Sequence, residues 1–118
     1  VDRLMVREGT DSWRVLVWLS RCWRPRTPEK LRERLAELLE LLHDYSALNL
    51  LLSDGESLYA LCAYTKDADY YTLWVHEGEG LVAVASEPAD TRRTWHPLEN
   101  RELFLINPEG LSVRMKVG

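Results

Sequence analysis

The chain has 118 residues, of which 46% are hydrophobic and 29% charged, with a formal net charge of −4. That balance belongs to a folded globular domain and excludes a disordered chain. No apolar run approaches the ~20 residues that cross a bilayer, and an acidic surface is a poor partner for nucleic-acid phosphates. Length bounds the molecule at one domain, residues 1–118, or part of one.

Val1-Asp2-Arg3 leads into a mixed segment without the pattern of a signal peptide. Periodicity predicts a first helix over residues 11–23. At ~100° per residue, Val15, Leu16, Trp18, Leu19, Cys22 and Trp23 share a broad face. Trp13 and Val17 add apolar surface on the far side, and Arg14, Arg21 and Arg24 form a narrow polar strip. A helix this apolar needs cover on most sides. Thr10-Asp11-Ser12 stands at its mouth, and two readings of Asp11 stay open. It is a cap or first-turn residue facing the positive end of the helix dipole, worth about 0.5–2 kcal/mol, or it holds the charged end of a ligand.

In "RPRTPEK", Thr27 is a good N-cap with Pro28 at the first helical position and Glu29 near the dipole's positive end. A second, amphipathic helix is expected over residues 28–43, with Leu31, Leu35, Leu38, Leu39 and Leu42 on one face. The arginines Arg21, Arg24, Arg26, Arg32 and Arg34 read as a solvated helical face.

From Ser46 the period changes to that of strands. "SALNLLLS" reaches Asp54-Gly55, a favoured hairpin turn, and "SLYALCAYT" returns. "DYYTLWVHE", the turn Gly78-Glu79-Gly80 and "LVAVAS" follow. A polar loop from Glu87 to Arg101 passes through Trp95, which is expected to plug it onto the core. "ELFLIN" then turns at Pro108-Glu109-Gly110 into "LSVRMKV". The expectation is two helices followed by about six strands, mostly hairpin-linked and so mostly antiparallel. "LNLLL" and "LVAVA" are apolar on both faces and call for a layer above and a layer below.

Cys22 and Cys62 lie inside apolar runs as small buried hydrophobes, which points to a reducing compartment and a cytoplasmic location. His43, His76 and His96 share no ligand spacing with them, so no metal site and no cofactor is expected. Glu87 and Asp11 are the carboxylates that a dyad would use, but no spacing brings them together. Ser86 and Glu87 read as the end of a strand.

Taken in order, Gly9-Thr10-Asp11-Ser12 at a helix start, the hairpin "LNLLLSDGESLYAL", "VAVASEP" as a strand with its loop, and Trp95 ahead of "ELFLINPEGL" resemble class II glutamine amidotransferases. The likeness is to their short bacterial branch, in which a glutaminase domain stands largely by itself, and it spans Gly9 to Gly110. It implies an α+β fold of the N-terminal-nucleophile type, a four-layer αββα sandwich. It also implies that Asp11 accepts hydrogen bonds from the α-ammonium of substrate glutamine, with Thr10 and Ser12 orienting it; a fixed carboxylate suits a charge-assisted bond. In that family an N-terminal cysteine attacks the amide with its own α-amino group as base, and hydrolysis releases glutamate and ammonia.

The sequence departs from the family pattern at three places. Trp13 stands where the pattern has Glu, Asn100-Arg101-Glu102 replaces Pro-Gly-Glu, and the first residue is Val1. Neither Cys22 nor Cys62 can supply both thiol and α-amine. The resemblance puts the nucleophile, the carboxylate-binding arginine and the oxyanion-hole Asn-Gly in a preceding segment. The expectation is therefore the C-terminal half of a glutaminase domain, with no catalytic residue of its own, completed by an N-terminal cysteine segment. The other reading is a non-catalytic homologue that binds a partner or assembles with itself. Either way the isolated chain is expected to oligomerise through its uncovered apolar faces.

Overall fold

The computed structural model describes residues 11–42, 45–78 and 80–118, without the side chains of Asp11, Ser12 and Trp13. Helix α1 spans Asp11–Cys22 and helix α2 Pro28–Leu41. On α1, Val15, Val17 and Leu19 are buried, but Leu16, which periodicity put on the apolar face, is 49% exposed. The Thr27 hydroxyl accepts from the Lys30 amide at 3.1 Å, and Pro28 fills the first turn, as the cap pattern predicts. Leu31, Leu35, Leu38 and Leu39 are buried along one side of α2. The helix stops at Leu41, short of the expected residue 43; Leu42 is already extended while its N–H still donates to Leu38 O at 3.0 Å.

The arginines between the helices are not simply a solvated face. Arg24 and Arg26 donate to Ser20 O, Arg26 also to Trp23 O, and Arg34 to Cys22 O at 3.1 Å. The last carbonyls of a helix have no partner within it and carry its negative dipole end, which suits guanidinium groups. These three side chains close the end of α1 and fix the turn into α2.

Strands β1 (Leu50–Ser53), β2 (Leu58–Cys62), β6 (Glu102–Ile106) and β7 (Ser112–Lys116) form one antiparallel sheet in the order β1-β2-β6-β7. Strands β3 (Trp74–Gly78), β4 (Leu81–Ala85) and β5 (His96–Pro97) form a second, in the order β4-β3-β5. The Asp54-Gly55 turn joins β1 to β2 as the sequence predicts: Gly55 takes φ +95°, and Asp54 Oδ1 accepts from the Glu56 and Ser57 amides.

Register divides the four-stranded sheet into two faces. Leu50, Tyr59, Leu61, Leu103, Leu105 and Val117 join Val15, Leu19, Trp23 and the α2 leucines in one core. Trp23 meets Tyr59 edge-on, with ring centroids 5.3 Å apart. On the opposite face, Ala60, Cys62 and Phe104 pack with Val75 of the second sheet and with Leu73 and Leu98 at the ends of its strands. The layers are therefore helices, sheet, sheet, a mixed α+β architecture in which two antiparallel sheets lie face to face.

Three expectations are corrected. Only the second part of "DYYTLWVHE" is strand: Ala68–Tyr71 is a single helical turn, α3, entered through Asp67 at φ +53°. Its Tyr71 carbonyl accepts from Asn49 Nδ2 at 2.7 Å and lies 3.8 Å from the Cys62 thiol, so tertiary contacts override the strand propensity of the tyrosines. Second, the loop after β4 contains a short strand, β5, beside the six expected, so seven strands lie among the described residues; Pro97 is tolerated because β5 is an edge strand. Third, among the described residues the two-faced strands β1 and β4 are each covered on one face only. Leu50 is buried and Leu51 is 62% exposed. Val82 and Val84 pack inward while Leu81 is 41% exposed.

Candidate functional site at the open end of the sandwich

Asp11 and Ser12 form the first residues of α1. Thr10 and the side chains of Asp11 and Ser12 lie outside the described residues. What can be built is the surface one turn further along. Arg14, Val15 and Trp18 of α1 line a cavity of about 330 Å³ with Leu38 and Leu42 of α2 and with Tyr45, Ala47 and Leu48 ahead of β1. Its wall is mostly apolar, Arg14 being its one charged lining residue, and its volume reaches the lower end of small-molecule sites.

Leu48 and Asn49 separate this cavity from a second one. Side chains alternate across an extended segment, so Leu48 faces the helices and Asn49 the gap between the sheets. Asn49 is a tie: its Nδ2 donates to Tyr71 O and its Oδ1 accepts from the Ala63 amide at 3.0 Å. Beside it, Asp69, Tyr70, Tyr71 and Trp74 face Ser86, Glu87 and Pro88 across a space of about 510 Å³. Ser86 and Glu87, read from sequence only as a strand end, thus line a cavity. Sequence reasoning missed its other wall because Asp69 and Tyr71 belong to the unexpected turn α3.

Trp95 does not enter either hydrophobic core. Its ring lies 5.8 Å from that of His76, and its Nε1 donates to Asp90 Oδ1 at 3.5 Å. Asp90 also accepts from the Arg93 amide at 3.0 Å and from the Arg93 guanidinium. The backbone bond first, and these side-chain donors after it, hold its carboxyl below the usual range. Trp95 therefore pins its loop to β3 through a folded acidic turn rather than plugging the core. At the altered Asn100-Arg101-Glu102 turn, Arg101 takes φ +64°, a left-handed conformation that glycine adopts at least cost. Its amide donates to Cys62 O and its carbonyl accepts from Val117 N, so both neighbouring strands hold it there.

Of the two cysteines, Cys62 is buried and Cys22 partly so. Cys62 is fully buried between the sheets, and burial pushes its thiol above the ordinary value. Burial also raises the Cys22 thiol, with Arg34 opposing it. A nucleophilic cysteine needs the reverse, a lowered pKa and access. Among the described residues no group of His, Cys, Asp and Glu has the geometry to hold a metal ion, and no helix is long and apolar enough to cross a membrane.

Among solved structures, the chain is similar to a glutamine aminotransferase class-II domain protein from Silicibacter pomeroyi, with a TM-score of 0.66 and 26% identity. The match covers 93% of this chain and 53% of that one, so the chain spans about half the length of that protein. No protein-family model and no curated protein sequence matches the chain. The structural likeness supports the class II glutamine amidotransferase family and agrees with the mixed α+β fold of two antiparallel sheets.

Proposed function

We propose that this chain is part of a class II glutaminase domain, which hydrolyses glutamine to glutamate and ammonia when an N-terminal-cysteine segment completes it. The observation that carries this reading is the likeness to the S. pomeroyi protein over 93% of the chain. The ordered motifs from Gly9 to Gly110 agree with it.

In this reading Asp11, at the head of α1, accepts from the α-ammonium of glutamine, and Thr10 and Ser12 orient it. A carboxylate at a helix N-terminus is stabilised in its charged form by the dipole and by free amides, so capping and ligand binding are compatible. The thiol comes from the completing segment, because Cys62 is enclosed and Cys22 and Cys62 both have raised pKa values. No metal or cofactor enters the reaction.

The test is ammonia release from glutamine by these 118 residues alone and by the same residues joined to an N-terminal-cysteine segment of class II type. The expected result is release only from the joined protein. Equal release from these residues alone would overturn the assignment of the nucleophile. A joined protein that folds but releases none would favour the non-catalytic homologue.

A further inference from the structure

The cavity beside Asn49 has no part in the glutamine reaction outlined above, and its two walls are fixed by different means. Trp74 opens β3 opposite Ala85, the last residue of β4, so the chain that leaves β4 as Ser86-Glu87-Pro88 runs past the indole. A residue ahead of proline is confined to extended backbone, which stiffens Glu87. The other wall is α3. Its turn is closed by the Asp67 carbonyl, which accepts from the Tyr70 and Tyr71 amides, and is tied down by Asn49 through the Tyr71 carbonyl. The rings of Tyr70 and Tyr71 meet edge-on, with centroids 4.9 Å apart and planes at 81°.

Two carboxylates on separate elements, Asp69 of α3 and Glu87 of the loop, therefore share a space of about 510 Å³ with three aromatic rings. No lysine, arginine or histidine belongs to its lining. Among the described residues neither carboxylate has a hydrogen bond or ion pair, whereas both ends of the Asn49 amide are engaged, by Tyr71 O and by the Ala63 amide. Two negative charges without a counter-ion repel an anion and attract a cation. A metal ion is the poorer occupant, because no group of three His, Cys, Asp and Glu among the described residues could hold one. Ring faces are not metal ligands, but the faces of Trp and Tyr attract organic ammonium ions through the ring quadrupole.

We propose that this cavity binds a small alkylated ammonium ion. Asp69 and Glu87 balance its charge, and the half-buried rings of Tyr71 and Trp74 receive its N-alkyl groups. Tyr70, 78% exposed, braces Tyr71 edge-on. Free amino acids are excluded, since their own carboxylate lies beside the ammonium and would meet the same two acids. The site uses neither Asp11 nor a cysteine and does not rest on the glutaminase reading.

The test is an NMR titration of the 118-residue chain with choline, following the indole N–H resonance of Trp74, which is assigned by its loss in Trp74→Phe. The control is the uncharged isostere of choline in which carbon replaces the nitrogen. The expected result is a saturable shift with choline and binding ~10-fold weaker for the isostere. Asp69→Asn and Glu87→Gln each remove one charge from an exposed, unpaired position. Each should leave the melting temperature unchanged and weaken choline binding by ~3-fold. Glutamine should not move the resonance. No saturable shift with choline, equal binding of the isostere, undiminished binding in both carboxylate variants, or an equal response to glutamine would overturn the inference. The assay involves no glutamine hydrolysis, so its failure is separable from failure of the glutaminase reading.

Discussion

Arg114 of β7 reaches Glu77 of β3 at 3.3 Å, and Ser112 donates to the same carboxylate, so two side chains of one sheet clamp a single acid of the other. Arg114 also lies 3.8 Å from Glu102, the one buried charged residue among those described. The Ser112 bond first, then Arg114, holds the Glu77 carboxyl below its ordinary value. A group lowered in the folded state stabilises the fold above its unfolded pKa, ~4.3 for glutamate, and loses that contribution as pH falls through the folded value. Glu77→Gln should therefore lower the urea midpoint at pH 7, and the gap to wild type should close as the pH falls below ~4. Added salt should narrow it as well, since the pair is partly exposed.

Phe104 and Leu51 share one face of one sheet with Ala60 between them, yet one is fully buried and the other 62% exposed. Phe104→Ala should cost about 3–5 kcal/mol, because it removes a ring enclosed between the sheets and leaves a cavity. Leu51→Ala in the isolated chain should stay within about 0.5 kcal/mol of wild type. Paired denaturation curves check both values. Comparable losses would mean that something covers Leu51 in solution.

Asn49 holds α3 to the head of β1, and the same Tyr71 carbonyl covers the Cys62 thiol. Asn49→Ala leaves that carbonyl and the Ala63 amide short of a partner, which should cost about 1–3 kcal/mol. It should also speed labelling of Cys62 by a thiol reagent, read in a Cys22→Ser background, as α3 detaches. An unchanged labelling rate would show that Asn49 is not what closes this end.

Thr27→Ala removes the hydroxyl that accepts from the Lys30 amide. The expected loss is about 0.5–2 kcal/mol with little change at Thr27→Ser, measured by thermal unfolding. A larger loss would mean that the cap also sets the angle between the helices.

What the sequence made legible is local in origin. Thr27-Pro28 followed by five leucines in step announces α2, and Asp54-Gly55 between two apolar runs announces the β1–β2 hairpin, because each signal lies within a few residues of the feature it predicts. What escaped depends on distant partners. The turn α3 carries two tyrosines that favour strands, and it is helical because Asn49, 22 residues away, bonds the Tyr71 carbonyl. The Glu77–Ser112 clamp joins positions 35 residues apart. The arginines near α1 look like a solvated face until the carbonyls of Ser20, Cys22 and Trp23 are found beneath them. At the candidate site, Ser86 and Glu87 were visible as residues but not as a wall, since the opposite wall is α3 itself.

The most direct test of the account is the kcat/KM for glutamine hydrolysis of the domain joined to its N-terminal-cysteine segment, compared between wild type and Asp11→Asn. Loss of a charge-assisted bond to the substrate ammonium should reduce it by roughly 100-fold. Asp54→Asn, in the β1–β2 hairpin turn, should leave it unchanged. Undiminished hydrolysis in the Asp11→Asn protein would contradict the account, because Asp11 would then be a helix cap and nothing more.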